Sequence, residues 1–263
     1  MKSAAFFDLD KTILGLNSAL AFTKSFYDEG LIDRSDVARS AYRQFVFSLG
    51  SADAAQTEKM RQYLSGLVKG WEVEQLQAIV AQSIDAKVTP SVHAEALELI
   101  SKHKLSGHDV VIISASGDEI VQPISKLLEA DYAIGTELEI VDGRYTGKMK
   151  FYAFGEAKAV AIRESAQKHG YDLSQCYAYS DSITDLPMLE AVGLPHAVNP
   201  DPELKQIAMA RGWPILTFER PAALKRPIID DPVQRKQAAI ALGVFAIFIG
   251  WWLKKRSKQR TIA

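Results

Sequence analysis

Ala4-Ala5-Phe6-Phe7-Asp8-Leu9-Asp10-Lys11-Thr12 is the stretch that decides how this chain is read. The run from Ala4 to Leu9 reads as a strand, and Asp8 to Thr12 closes it with polar residues. A second run, Asp109-Val110-Val111-Ile112-Ile113-Ser114, comes after the turn signal Ser106-Gly107. Continuous rather than alternating apolarity marks a strand buried on both faces, as in a parallel sheet. A third such run is Cys176 to Tyr179, closed by Ser180-Asp181-Ser182-Ile183-Thr184-Asp185.

Working outward, helical periodicity fills the spaces between these runs. Apolar residues recur at helical spacing from about Ser18 to Ile84, as in Val37, Ala41, Phe45 and Leu49, or Met60, Tyr63, Leu64 and Leu67. Thr89-Pro90 has the form of an N-cap with proline at the first helical position, which predicts a helix to about Lys104. A helix over Ile120 to Leu128, a strand near Tyr132 to Ile134, and a hairpin of Glu137 to Val141 with Arg144 to Lys148 around Asp142-Gly143 come next. Helices Glu156 to His169 and Leu186 to Val192 and short strands at Ala197-Val198 and Ile215-Leu216 complete the pattern. Such alternation predicts an α/β fold, a doubly wound parallel sheet with an inserted all-helical block and a C-terminal hydrophobic helix. The expected divisions are a core of residues 1–15 and 88–219, a helical cap of 16–87, a linker of 220–237, an apolar helix of 238–253 and a basic tail of 254–263.

Composition excludes several classes. With 263 residues, 48% hydrophobic and 24% charged, the chain has enough apolar material for a full core, which excludes disorder. Lys and Arg (31) nearly balance Asp and Glu (32), so no overall field draws the chain to nucleic acid. A single cysteine, Cys176, permits no internal disulfide and is expected to pack at a strand start. The chain begins Met1-Lys2-Ser3, and the short apolar stretch after it, interrupted by Asp8 and Asp10, does not read as a signal-peptide core, so the catalytic part is expected on the cytoplasmic side. Ala238 to Leu253 has sixteen residues without a charge. As a helix it is about 24 Å long, short for a bilayer core of roughly 30 Å. Arg235 and Lys236 before it, and Lys254, Lys255, Arg256, Lys258 and Arg260 after it, suit snorkelling at its ends. Trp251 and Trp252 suit an interfacial belt, so the expectation is a membrane-spanning or membrane-interface helix.

In an open α/β sheet, ligands bind where the strands end, so the polar residues stopping each run are the candidates. Asp8 and Asp181 offer the hard oxygen ligands that Mg²⁺ takes alongside waters and a substrate phosphate. Ser114 can hydrogen-bond a phosphoryl oxygen, and Lys158 can offset charge on a nucleophile or a transferring phosphoryl group. A carboxylate can itself be the nucleophile, forming an aspartyl phosphate, and Asp10 is placed to protonate the leaving oxygen and then activate water. Each of these residues alone has an ordinary structural use as a cap, a turn or a solvated face. Their occurrence together, each at a predicted strand end or the helix beside it, is what points to phosphoryl chemistry.

The ordered strings Phe6-Phe7-Asp8-Leu9-Asp10-Lys11-Thr12, Ile112 to Ser116, Gly155-Glu156-Ala157-Lys158 and Tyr179 to Leu189 resemble the four motifs of the haloacid dehalogenase superfamily. The likeness covers about Ala4 to Leu216, and in detail it is to the phosphoserine-phosphatase-like subfamily IB. The resemblance implies Asp8, Asp10 and Lys158 as catalytic residues, with Asp8 phosphorylated and Asp10 as general acid and base. It implies phosphate contacts from Thr12, Ser114, Ala115 and Lys158. It further implies Mg²⁺ held by Asp8, Asp181 and the carbonyl of Asp10, with Asp185 and Ser182 in support.

Two positions depart from the family's pattern. Lys11 stands where a small residue such as Gly or Ser is more usual, and Asn17 stands where phosphoserine phosphatases carry the glutamate that grips the substrate ammonium. The expected activity is therefore Mg²⁺-dependent hydrolysis of a small phosphomonoester or lipid head-group precursor. Phosphoserine phosphatase proper, a phosphotransferase or mutase, and a membrane-tethered protein with a vestigial site are the alternatives. His93, His103, His108, His169 and His196 are scattered and expected at the surface or at caps. Asn199 before Pro200 is expected in a turn, and Trp71 with the other cap aromatics in the cap's core.

Overall fold

The structure is a computed structural model and describes residues 2–33, 36 and 54–222. The expected helix around Val37, Ala41, Phe45 and Leu49, the apolar segment 238–253 and the basic tail lie outside the described residues. Among the described residues, no helix is long and apolar enough to cross a membrane.

Among the described residues, seven strands form one sheet. They are β1 (Ala4–Phe7), β2 (Asp109–Gly117), β3 (Tyr132–Val141), β4 (Arg144–Phe151), β5 (Tyr177–Ser180), β6 (Leu194–Val198) and β7 (Ile215–Leu216), in the order β4-β3-β2-β1-β5-β6-β7. All pairings are parallel except the β3–β4 hairpin. The chain starts in the middle, lays β2 and β3 to one side, then returns to lay β5, β6 and β7 on the other. The direction of winding therefore switches between β1 and β5, and a crevice opens at their carboxyl ends. The doubly wound expectation holds.

The helices are α1 (Ser18–Ala21), α2 (Thr23–Asp28), α3 (Ala54–Val68), α4 (Val73–Lys87), α5 (Ala94–Leu105), α6 (Asp118–Leu127), α7 (Glu156–His169), α8 (Leu186–Glu190) and α9 (Pro202–Arg211). One face of the sheet presents Phe6, Val111, Ile113 and Ala178 to Ile162, Met188 and Leu204 in a continuous buried cluster. Alternation turns Phe7 and Tyr179 to the other face, where their rings stack 4.5 Å apart. His103, from α5, joins them there: its Nε2 lies 2.8 Å from the Tyr179 hydroxyl and its Nδ1 2.9 Å from Nδ1 of His108. His103 is thus a core residue rather than the surface or cap residue expected. Cys176 is fully buried and accepts from Ala4 N at 3.3 Å, as a strand-start packing residue should. Gly193 has no latitude, because a Cβ there would sit 2.0 Å from the carbonyl oxygen of Ser174.

Several boundaries differ from expectation. Thr89-Pro90 opens only a 3-10 turn, Thr89–Ser91, and the chain runs extended through Val92 and His93 before α5 begins. Strand β2 runs past Ser114 to Gly117, with its pairing to β3 shifting between Ile113 and Gly117. The strands expected at 132–134 and 137–141 are one strand. Helix α9 was not anticipated, although Asp201 caps it, Pro202 opens it and Gly212 ends it in the left-handed region. The segment expected to begin a linker at residue 220 starts docked. Arg220 pairs with Glu95 and Glu98, and Ala222 N donates to Val92 O at 2.7 Å.

The described part of the insertion is helical, as expected, but the β3–β4 hairpin completes it. Gly70 N donates to Tyr145 O, Tyr145 N to Trp71 O, and Val73 N to Gly143 O, at 2.8, 3.1 and 3.0 Å. The loop between α3 and α4 is thereby tied to the hairpin.

Candidate active site

Two adjacent strand ends supply the first carboxylates. Asp8 comes directly after β1 and its backbone N–H continues the ladder, donating to Tyr179 O at 2.9 Å. Asp181 comes directly after β5. Between Leu9 and Leu14 the chain folds into a tight loop in which Leu9 O accepts from both Ile13 N and Leu14 N at 3.0 Å. Lys11 takes φ +62° in that loop, the left-handed region that a glycine enters without strain. The loop turns the buried Thr12 hydroxyl back to donate to Asp181 Oδ1 at 3.4 Å.

Lys158 comes from the first turn of α7. Gly155, at φ +57°, sets the entry to that helix. The Lys158 side chain is 3% exposed, and its Nζ donates to Asp8 Oδ1 at 2.6 Å and to Asp185 Oδ2 at 2.8 Å. The Ser180 hydroxyl also donates to Asp185 Oδ2, at 2.7 Å. Burial alone would weaken the hold of Lys158 on its proton. The two carboxylates, Asp185 foremost, outweigh burial and keep the ammonium charged.

The carboxylates respond in the opposite sense. Burial pushes Asp8 well above the usual carboxylate range; Lys158 pulls against this, while Asp185, Asp181 and Asp10 add to it. Burial and then the charge of Asp185 push Asp181 up to about 7, against the pull of Lys11 and Lys158. Burial also raises Asp10, against its hydrogen bonds from Ser18 and Ser116.

Asp10 is held at both oxygens. Ser18 N donates to Oδ1 at 2.8 Å, the Ser116 hydroxyl donates to Oδ2 at 3.1 Å, and the two hydroxyls of Ser18 and Ser116 lie 2.8 Å apart. A carboxyl so fixed has one orientation. Ser114 is buried inside β2, not at its end, and its hydroxyl accepts from Ser116 N at 3.2 Å. Ala115 turns its carbonyl to the Thr136 hydroxyl at 2.7 Å. Ser182 caps the 3-10 turn Ile183–Asp185, its hydroxyl accepting from Thr184 N at 3.3 Å. That loop is held from outside by Asp201: its Oδ2 accepts from Ile183 N at 2.7 Å, its Oδ1 from Leu204 N at 2.8 Å, and its own N–H donates to Asp181 O at 2.8 Å.

The structure thus joins Asp8, Lys158 and Asp185 directly, links Asp181 to Thr12, and sets Asp10 between α1 and β2. Ser18, Ser116, Ser180 and Asp201 were not among the expected residues. A signal existed for Ser116, because Ser114 and Ser116 are two apart on a strand and share a face. Asn199, at φ +43°, bonds Phe218 through both ends of its amide and joins the ends of β6 and β7. Asn17 caps α1, its Oδ1 accepting from Leu20 N at 3.1 Å.

Beside Asp10 a cavity of about 250 Å³ reaches into the cap, bounded by Phe26, Leu64, Trp71, Met149 and Tyr152 among others. Trp71 and Phe26, expected only as cap core, meet edge to face at 5.7 Å and line this space.

Among the described residues, no three His, Cys, Asp or Glu side chains form a metal-holding group. Magnesium does not need three, since it is commonly held by one or two carboxylates with waters and a substrate phosphate. The donor set fits such an ion: Asp8 and Asp181 supply hard oxygens, and among the described residues at the site the buried carboxylates outnumber the buried cation, Lys158.

Residues 5–190 match the haloacid dehalogenase-like hydrolase family. The inhibition of morphological differentiation protein of Streptomyces azureus is 51% identical over 97% of this chain and 94% of its own. A "probable phosphatase" of Mycobacterium tuberculosis (strain ATCC 25618 / H37Rv) is 50% identical over 95% of this chain and 87% of its own. Among solved structures, a protein of unknown function from Bordetella pertussis Tohama I superposes with a TM-score of 0.72 at 29% identity, covering 82% of this chain and 98% of the other.

Proposed function

Because the chain belongs to the haloacid dehalogenase-like hydrolases, as a phosphoserine-phosphatase-like phosphatase, we propose that Asp8 is the group it phosphorylates in hydrolysing a phosphomonoester. The observation that carries this reading is Lys158, buried and hydrogen-bonded to Asp8 and Asp185 at once. A lysine in that position keeps Asp8 oriented and offsets the charge that gathers when its oxygen meets a phosphoryl group.

In the first step an Asp8 oxygen forms a bond to phosphorus while the bond from phosphorus to the ester oxygen breaks. Asp10, whose carboxyl burial favours the protonated form, gives its proton to the departing alcohol. In the second step the Asp10 carboxylate takes a proton from water, the water oxygen bonds to phosphorus, and the bond to Asp8 breaks to release inorganic phosphate. Ser18 and Ser116 hold Asp10 in place for both transfers. Thr12 and the Ser114 hydroxyl face the transferring group from the loop after β1 and from β2. Asp8, Asp181 and the Asp10 carbonyl would hold Mg²⁺, which would supply positive charge to the phosphate oxygens. Asp185 and Ser180 fix the lysine, and Ser182 with Asp201 fix the loop that carries Asp181.

The core and the cap, divided near residues 15 and 88, have separate tasks in this proposal: the core performs the transfer, and the cap closes over the alcohol. The reaction is tested by incubating the protein with Mg²⁺ and a radiolabelled phosphomonoester, quenching in acid, and probing for a hydroxylamine-labile phosphoprotein. Wild type should label and turn over. Asp8→Asn should do neither, with turnover falling more than about 10⁴-fold. Labelling that survives in Asp8→Asn would exclude Asp8 as the nucleophile.

A further inference from the structure

The cavity beside Asp10 lies where the alcohol must go. A general acid sits at the oxygen it protonates, so whatever hangs on that oxygen extends into the space that Asp10 borders. Its described walls are mostly aliphatic and aromatic, from α1 and α2, from α3 and Trp71, and from the β3–β4 hairpin, with the neutral polar side chains of Asn17, Thr23, Ser116 and Thr136 among them. Among the described residues lining it there is no Lys, Arg or His, and Asp10 and Glu119 are the only charged ones. Phosphoserine brings a carboxylate as well as an ammonium, and a buried charge without a partner is strongly disfavoured. Asn17, at the position where phosphoserine phosphatases bear their ammonium-binding glutamate, has its side-chain oxygen engaged in capping α1.

We infer that the leaving alcohol is apolar, an alkyl or aryl group of modest size. The inference rests on the hydrolase reading above and names the substrate class of that site. At about 250 Å³ the cavity falls below the roughly 300–1,000 Å³ typical of sites for drug-sized ligands, so it takes a short chain or a single ring rather than a whole two-chain lipid. The bonds made and broken are those already described; only the group on the departing oxygen is specified.

The test is a ladder of n-alkyl phosphates, ethyl, butyl, hexyl and octyl, whose leaving alcohols are alike in acidity, assayed for kcat/KM with the full chain and Mg²⁺. Benzyl phosphate is the aryl arm, and phosphoserine and phosphocholine are the zwitterionic and cationic comparisons. The expected result is a rise of up to about fourfold per added methylene until the cavity fills, with hexyl or benzyl phosphate well above phosphoserine. Whichever of those two is faster identifies the alkyl or the aryl source. Leu64→Lys should lose at least tenfold on hexyl phosphate and less on ethyl phosphate, whereas Leu64→Met should keep the ladder. A flat ladder, or phosphoserine or phosphocholine outrunning hexyl phosphate, would overturn this inference and leave the hydrolase reading standing. No turnover of any ester by wild type would overturn both. If Leu64→Lys does not fold, the wild-type ladder still decides.

Discussion

On the core side of the cleft, Lys158 is shared between two carboxylates, Ser180 braces one of them, and Asp10 is gripped at both oxygens. On the cap side, Phe26, Leu64, Trp71 and Met149 enclose space with few polar partners. Directional bonds hold groups to within tenths of an ångström, which a phosphoryl transfer requires. Apolar walls are non-directional and select by shape and area, so they can change with the substrate while the transfer stays the same. In the proposed reaction one wall would do the chemistry and the other would choose the alcohol.

The strongest way to break this contrast on the core side, short of removing Asp8, is Asp10→Asn. The amide keeps the contact with Ser18 N but cannot relay a proton, so kcat should fall by about 10²–10⁴, with the urea midpoint little changed. A loss of stability comparable to the loss of activity would mean that Asp10 is chiefly structural. Lys158→Met comes next, with turnover down about 10²–10³-fold. It should also destabilise the fold by about 3–5 kcal/mol, because it leaves two buried carboxylates without their cation. Unchanged stability on denaturant titration would show that this wall is not held by its charges.

A pH series sharpens the contrast by separating the fold's own acid response from that of the site. Burial, with His108 and His196 beside it, lowers His103 to about 4. An unfolded chain binds that proton from about 6.5, so between about 6.5 and 4 the unfolded state holds more protons and is favoured as the pH falls. Stability contributed by His103 should therefore be complete above pH 6.5 and decline toward pH 4. The slope of the urea midpoint in that window should flatten in His103→Gln. The smallest effect is expected of Lys11→Gly. Relief of the left-handed backbone should raise stability by up to about 1 kcal/mol. Removing a cation that eases the ionisation of Asp181 should lower kcat/KM modestly.

The same contrast explains what the sequence could tell. The places of Asp8, Asp10, Lys158 and Asp181 were legible because each lies in a short string directly after an apolar run or a glycine, near a strand end or a helix start; the roles proposed for them came from the set taken together and from the family resemblance. The doubly wound sheet was legible for the same reason. Ser18 was not, and Ser116 only through its spacing from Ser114, because their hold on Asp10 depends on a contact between residues 98 positions apart. Nor was the cavity, since Trp71, Leu64 and Met149 are ordinary apolar residues until α3 and the hairpin meet. Thr89-Pro90 misled because proline fixes one backbone angle and permits a single 3-10 turn as readily as a longer helix. Helix α9 was missed although Asp201-Pro202 and Gly212 mark its ends.

Asp201 has a consequence of its own. With one oxygen on the loop after β5 and the other on the opening turn of α9, it makes the two segments a single cooperative unit. Fraying of either would loosen a brace of the other, so in the proposed reaction a helix away from Asp8 would help keep the loop of Asp181 in line.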